Sequence, residues 1–216
     1  MLYTDWSTID YAMKPESDTK QKLLATAMEM IWESSYGSVS VDDICTKAGI
    51  NKGSFYYAFK SKSDLAVAAF ERYWENKQPL MDRIFSPQIP PLERLDSYCR
   101  LIIEDQKKKY ESFGKMLGCP FCSLGSELST QDEKIRLKAE QMNRRMLKYL
   151  ESLVRDLVTE HHIESRDPVE LAREVGFYIT GVLMQAKIEN DVKLVERLQH
   201  GVMRLLGIKQ LSEATA

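Results

Sequence analysis

Residues 41–60 read VDDICTKAGINKGSFYYAFK, and their apolar spacing decides how the whole chain is read. Ile44, Ala48, Ile50, Phe55 and Phe59 are the apolar positions that pin two short helices together. Ser40 opens the first helix with Asp43 three residues on, the Ser-x-x-acid form of a capping box. Gly49 stands where the chain turns sharply, a position that calls for positive φ. Cys45 is small enough for the closest approach of the two helices. Asn51 caps the second helix, which presents Lys52, Ser54, Tyr56 and Tyr57 outward. A helix-turn-helix of this kind is expected to set the N-terminal end of its second helix against base edges in the DNA major groove.

Local charge agrees with that expectation. From Ile44 to Ser63 there are four lysines (Lys47, Lys52, Lys60 and Lys62) and no acidic residue. Hydroxyls of Ser40, Ser54, Tyr56 and Tyr57, and amides at the helix starts, reach phosphate oxygens, and Gly53 lets the backbone approach a strand. The alternative is a helical hairpin with a solvated basic face. The basic character is confined to this stretch. The 216 residues carry 30 Lys and Arg against 32 Asp and Glu, a net charge of −2. Residues 1–77 alone hold 9 basic and 11 acidic side chains. That balance excludes indiscriminate coating of DNA and leaves room for a grip on one short site.

Outward from the motif the pattern is helical throughout, so the expected fold class is all-α. Leu24, Ala27 and Ile31 recur at three- and four-residue spacing from Asp18 onward, and Gly37 and Ser38 end that helix. Residues 1–17 form a poorly periodic arm. Ser61, with Asp64 three on, caps a fourth helix through Leu65, Ala69 and Trp74. Residues 78–91 hold four of the seven prolines, which places a domain boundary there. The divisions are thus an arm (1–17), a head (18–62), a connecting helix (63–77) and a larger body (78–216).

Within the body, a helix carries Leu95, Tyr98, Ile102 and Gln106. Residues 112–129 hold three of the ten glycines and read as a loop or broken helix. A long helix follows with Ile135, Met142, Met146, Leu150, Leu153 and Leu157 in a stripe. Asp167-Pro168 opens the next helix, and Asp191 caps the last. These two closing helices are apolar on more than one face. The expected dimer interface is Val175, Tyr178, Val182, Leu194, Leu198, Val202 and Leu205. A larger monomer core covering both faces is the alternative.

Composition supports a globular chain: 44% hydrophobic and 29% charged, with 10 Gly and 7 Pro. No secretory signal and no run of about 18 apolar residues is present, so no membrane span is expected. Four cysteines suit a reduced, cytoplasmic setting.

The run SYGSVSVDDICTKAGINKGSFYYAFKSKSDL resembles the N-terminal domain of the tetracycline-repressor (TetR) family of bacterial regulators. Tyr36, Ser40, Ile44, Ala48, Gly49, Lys52, Gly53, Ser54, Phe55, Tyr56, Phe59, Ser61 and Lys62 fall in step with the family pattern. Ser35, Cys45, Ile50, Asn51 and Tyr57 depart from it, and Tyr57 leaves the operator sequence open. The resemblance implies a homodimer that binds double-stranded operator DNA and is released by a small-molecule or electrophile effector. It implies a non-enzyme with no cofactor. By this reading Ser40, Lys47, Asn51, Lys52, Gly53, Ser54, Tyr56, Tyr57, Lys60 and Lys62 contact DNA. An activator is the alternative.

Effector-pocket candidates are Tyr98, Ile102, Tyr110, Phe113, Met116, Met142, Met146, Phe177 and Met184, joined by Cys119 and Cys122. Cys119-Pro120-Phe121-Cys122 admits three readings. The cysteines are small lining groups; or Cys119 is a sensing thiol with Cys122 as resolving partner; or the pair binds zinc with His161 and His162. The last requires a spacing that compact zinc sites do not use, and no metal is expected. A thiol–disulfide oxidoreductase is the enzyme rival, but that chemistry sits in a βαβ pattern the sequence lacks.

Overall fold

A computed structural model describes residues 18–164 and 167–208, all helix and connecting loop among the described residues. The expected arm, residues 1–17, lies outside them. Helix α1 (Asp18–Glu33), α2 (Val41–Ala48) and α3 (Lys52–Ala58) form the head. Then come α4 (Lys62–Ile84), α5 (Pro91–Phe113), α6 (Pro120–Leu128) and α7 (Glu133–Thr159). Last are α8 (Pro168–Glu189), α9 (Lys193–Glu196) and α10 (Leu198–Leu206).

The caps read from sequence take their places. Asp43 N–H donates to Ser40 Oγ at 3.1 Å while Ser40 N–H donates to the Asp43 carboxylate at 2.8 Å. Ser54 N–H donates to Asn51 Oδ1 at 2.8 Å, and Asp64 N–H to Ser61 Oγ at 3.0 Å. Gly49 ends α2 at φ 65°, a backbone that a side chain would strain. Each cap satisfies amides that the first turn leaves without partners.

Two cores form, and they meet inside α4. Leu23, Ala27, Ile31, Ile44, Phe55, Leu65 and Phe70 fill the head core. Leu124 and Leu128 of α6 and Ile135 of α7 join that core, although they are distant in sequence. Leu80, Met81 and Ile84 at the other end of α4 belong to the body core with Leu95, Leu150, Leu157, Val175 and Leu198. The expected break at residues 78–91 is therefore later and narrower: α4 runs through Pro79 to Ile84. Proline inside a helix costs about 3 kcal/mol. Burial of the three large side chains that follow it offsets that cost.

Residues 112–129 also differ from the expected loop. Only 114–119 and Ser129 lie outside helices, and Pro120 opens α6. Its fixed φ suits a first helical position, and Leu124 and Leu128 give the short helix a buried face. The last helix divides at Arg197 into α9 and α10. Where α8 crosses α10, the Tyr178 hydroxyl lies 1.7 Å from where a Cβ on Gly201 would be, so any side chain there would have to displace the tyrosine ring.

Candidate functional site

The head exposes the first turn of α3. Asn51, Lys52 and Gly53 are exposed, and Tyr57 stands 95% open to solvent. Tyr56 is also exposed, its ring edge-on to the buried Phe55 at 5.1 Å. Phe55 and Phe59 anchor α3 from below, so the outward face is fixed by the inward one. Lys52 pairs with Asp42 at 2.7 Å and Lys47 with Glu29 at 3.2 Å. Both pairs are exposed and screened by solvent, so either lysine can exchange its carboxylate for a phosphate. Lys60 is exposed beside them, and Ser54 is half-buried.

Two of the expected DNA contacts serve the fold instead. Ser40 Oγ lies within the capping box, 2.6 Å from the Asp43 carboxylate, and those bonds hold that carboxyl below its usual range. Lys62 turns inward. Its Nζ donates to the carbonyls of Tyr36 and Val39, each at 2.8 Å, and sits 3.8 Å above the Tyr36 ring. Burial pushes its pKa down. The reason is local: Ser61 caps α4, which aims the next side chain back across the turn between α1 and α2.

A cavity of about 460 Å³ opens between the head and the body. Tyr98, Ile102, Cys119, Cys122, Met142 and Met146 line it, as do Trp32, Tyr73, Trp74 and Phe121. Polar side chains share the wall: Gln106, Asn143 and Thr180, with the charged Lys77, Asp105, Arg136 and Glu140. Sequence reasoning missed the aromatic residues of α1 and α4 because it assigned those helices to the head and the connection. It missed Gln106 and Thr180 because single polar positions inside apolar stripes carry no periodic signal.

The remaining pocket candidates lie elsewhere. Met116 is buried in the body core, where its N–H donates to Asn190 Oδ1 at 2.8 Å. Tyr110 packs against that core, and Phe113 lies in a separate groove along α1 and α4. Met184 edges a small recess with Ile31 and Lys187. Phe177 points outward and is 68% exposed. The buried stripe of α8 is Leu171, Val175, Ile179 and Leu183, and residues 177 and 184 fall off it. For the same reason Val175, Leu198 and Val202, expected at a dimer interface, lie in the chain's own core. Tyr178, Val182, Leu194 and Leu205 are half-buried against that core. Phe177, Gly181 and Ile188 form the outward apolar line of α8 in their place.

The wall of the cavity is wired to the head. The Trp32 indole of α1 donates to the carbonyls of Leu117 and Gly118 at 3.2 Å. Gln106 clasps Gly118 from the other side, accepting from its N–H at 3.1 Å. At the far end of α6, the Glu127 carboxylate accepts from the backbone N–H groups of Tyr36 (3.1 Å) and Gly37 (2.8 Å), just before α2. Phe121, in the first turn of α6, meets Phe70 and Tyr73 of α4 edge-on at 5.2 and 5.6 Å.

Cys119 is the N-cap residue of α6, and Cys122 lies in its first turn. The two thiols are hydrogen-bonded to each other, and Cys122 Sγ lies 3.8 Å from Thr180 Oγ1. The Cys119 contact and the Thr180 hydroxyl bring the Cys122 thiol down to about 7, whereas that contact and burial push Cys119 well up. This inverts the expected order, in which Cys119 is the more acidic. Among the described residues no group of three His, Cys, Asp or Glu side chains gathers to hold a metal, and His162 pairs with Glu160 instead.

Comparison with known proteins places this geometry. Residues 23–69 match the pattern of bacterial regulatory proteins of the tetR family, and residues 91–202 match a tetracyclin repressor-like C-terminal domain. An HTH-type transcriptional regulator in the lacX 3′ region of Lactococcus lactis subsp. lactis is 29% identical, with 83% of this chain and 88% of that one covered. The transcriptional regulator AcuR of Cereibacter sphaeroides is also 29% identical, covering 78% and 76%. Among solved structures, a regulatory protein TetR from Rhodobacter sphaeroides superposes with a TM-score of 0.77 at 26% identity, covering 88% and 99%. The reduced form of Escherichia coli NemR, at 23% identity and a TM-score of 0.74 (89% and 100% covered), shares the fold. The chain belongs to the tetR family of bacterial regulatory proteins and is a DNA-binding transcriptional regulator rather than an enzyme.

Proposed function

We propose that the chain acts in the cytoplasm as a homodimeric repressor, released from its operator by a small, largely apolar molecule held in the cavity. The observation that carries this reading is the wiring of the cavity wall to the head through Trp32, Phe121 and Glu127. A ligand that moves the first turn of α6 shifts groups that also hold α1, α4 and the turn before α2. Lys47, Asn51, Lys52, Gly53, Ser54, Tyr56, Tyr57 and Lys60 form the DNA-facing surface. Two copies are joined through the outward line of α8, where Phe177 and Ile188 are 68% and 69% exposed. Exposed apolar lines of that kind mark partner surfaces. No helix among the described residues is long and apolar enough to cross a membrane.

The pocket's aromatic walls suit the apolar body of an organic molecule, and Gln106, Asn143, Thr180 and the charged Lys77, Asp105, Arg136 and Glu140 can meet its polar atoms. The test is fluorescence anisotropy of a labelled duplex from beside its own gene, repeated in the presence of a panel of small organic molecules. Tight binding at low salt, weakened by members that also raise the Tm of the free protein, is expected. Absence of binding to that duplex by purified dimer would overturn the reading.

A further inference from the structure

The cavity wall holds a feature that simple ligand binding leaves unused: two thiols in contact, one helical turn apart. We propose that Cys122 and Cys119 form a reaction site for organic hydroperoxides, with Cys122 attacking the peroxide and Cys119 closing a disulfide onto it. The inference rests on the reading of the cavity as the effector site, and it names the chemical class that the site takes.

Geometry carries it. Both cysteines line the cavity and are only partly buried as residues. Cys45 and Cys99, by contrast, are buried in the two cores, and burial pushes Cys99 up to about 12. Thr180 reaches Cys122 from α8, its Oγ1 3.8 Å from the sulfur, close enough for the hydroxyl to donate to a thiolate there. The start of a helix favours negative charge on the sulfur in its first turn. Cys119, the extended N-cap, and Cys122, three residues on, are neighbours at the helix start, and closing a disulfide brings their Cβ atoms to about 3.5–4.5 Å. An adduct-forming site needs one nucleophile; a second thiol in contact is what a sulfenic acid needs. The aromatic wall favours a peroxide with an apolar body over hydrogen peroxide.

The chemistry balances. The Cys122 sulfur attacks the terminal peroxide oxygen, forming an S–O bond as the O–O bond breaks. The sulfur gives up two electrons, and the departing alkoxide takes a proton and leaves as the alcohol. The Cys119 thiol then attacks the sulfenic sulfur of Cys122, forming S–S as S–O breaks, and water leaves with the thiol proton. The net change is two thiols and one hydroperoxide to one disulfide, one alcohol and one water. Phe121 lies between the two cysteines and touches Phe70 and Tyr73, so closing the disulfide displaces a ring seated on α4.

The full-length protein, reduced and freed of reductant, is to be treated with one equivalent of cumene hydroperoxide and read by intact and peptide mass. The expected result is a loss of about 2 Da, mapped to a Cys119–Cys122 disulfide and reversed by dithiothreitol. Cys119→Ser should stop at a Cys122 sulfenic acid that dimedone traps, and Cys122→Ser should show neither product. Dimedone mapping in the unmutated protein, during turnover, gives the same assignment if a variant fails to fold. Hydrogen peroxide at equal dose should react at least about tenfold more slowly, given the apolar cavity. A disulfide that forms without Cys122, no disulfide at all, or equal rates with both peroxides would overturn the proposal. Operator anisotropy is read separately. A disulfide without loss of DNA binding leaves the thiol site standing and removes the cavity's control over the operator.

Discussion

Replacing Lys62 with methionine separates a DNA contact from a structural one. In the fold, Lys62 Nζ bonds two backbone carbonyls at 2.8 Å and lies 3.8 Å above the Tyr36 ring. Hydrogen bonds from a charged donor contribute about 1.5–3 kcal/mol each, and an exposed cation–ring contact about 0.5–1 kcal/mol. Lys62 is half-buried and methionine keeps most of its stem packing, so the low end applies. The low ends together give a loss of about 3.5 kcal/mol, a fall in Tm of roughly 7–14 °C for a chain of this length. Thermal unfolding at fixed protein concentration measures it. The partner measurement is operator affinity across a salt series. A phosphate-contacting lysine removes about one unit from the log–log slope, whereas Lys62→Met should leave the slope unchanged. An unchanged Tm with a slope reduced by one unit would refute the structural assignment of Lys62.

Three further outcomes follow from the same geometry. Tyr57→Ala, at a side chain 95% exposed, should move Tm by less than about 2 °C and weaken operator binding at least about tenfold in anisotropy titrations. Phe177→Asp should convert dimer to monomer in sedimentation at micromolar concentration, with helix content retained by circular dichroism, because the side chain is 68% exposed on α8. Alkylation of the native protein by iodoacetamide should label Cys122 first, its rate rising with pH through a midpoint of about 7. The sign follows from the thiolate being the reactive form: it is populated above that midpoint and lost below it.

The head was legible in the sequence because its structure is local. Ser40, Gly49, Asn51 and Ser61 each specify a cap or a turn within four residues, and Ile44, Phe55 and Phe59 specify the packing between adjacent helices. Lys62 misled because a charge count does not show which way a side chain turns. Its carbonyl partners lie 23 and 26 residues earlier in the chain. The body was legible as helices but not as faces. Val175 and Phe177 both sit in an apolar helix, and only the packing of α8 against α7, α9 and α10 decides that one is buried and the other exposed. The cavity was half legible: methionines and the cysteine pair were found, whereas Trp32 and Trp74 reach it from helices that also build the head. α6 was hidden by its glycines and by Pro120, which opens a helix here instead of interrupting one.

The central claim, that two α3 helices of a dimer read a short DNA site, is tested most directly by nuclease footprinting on the DNA beside its own gene. The account predicts two protected half-sites with centres one helical turn, about 34–36 Å, or a multiple of it apart. It also predicts loss of both in Tyr57→Ala at the same protein concentration. Protection spread evenly along the duplex, or footprints identical in the two proteins, would contradict it.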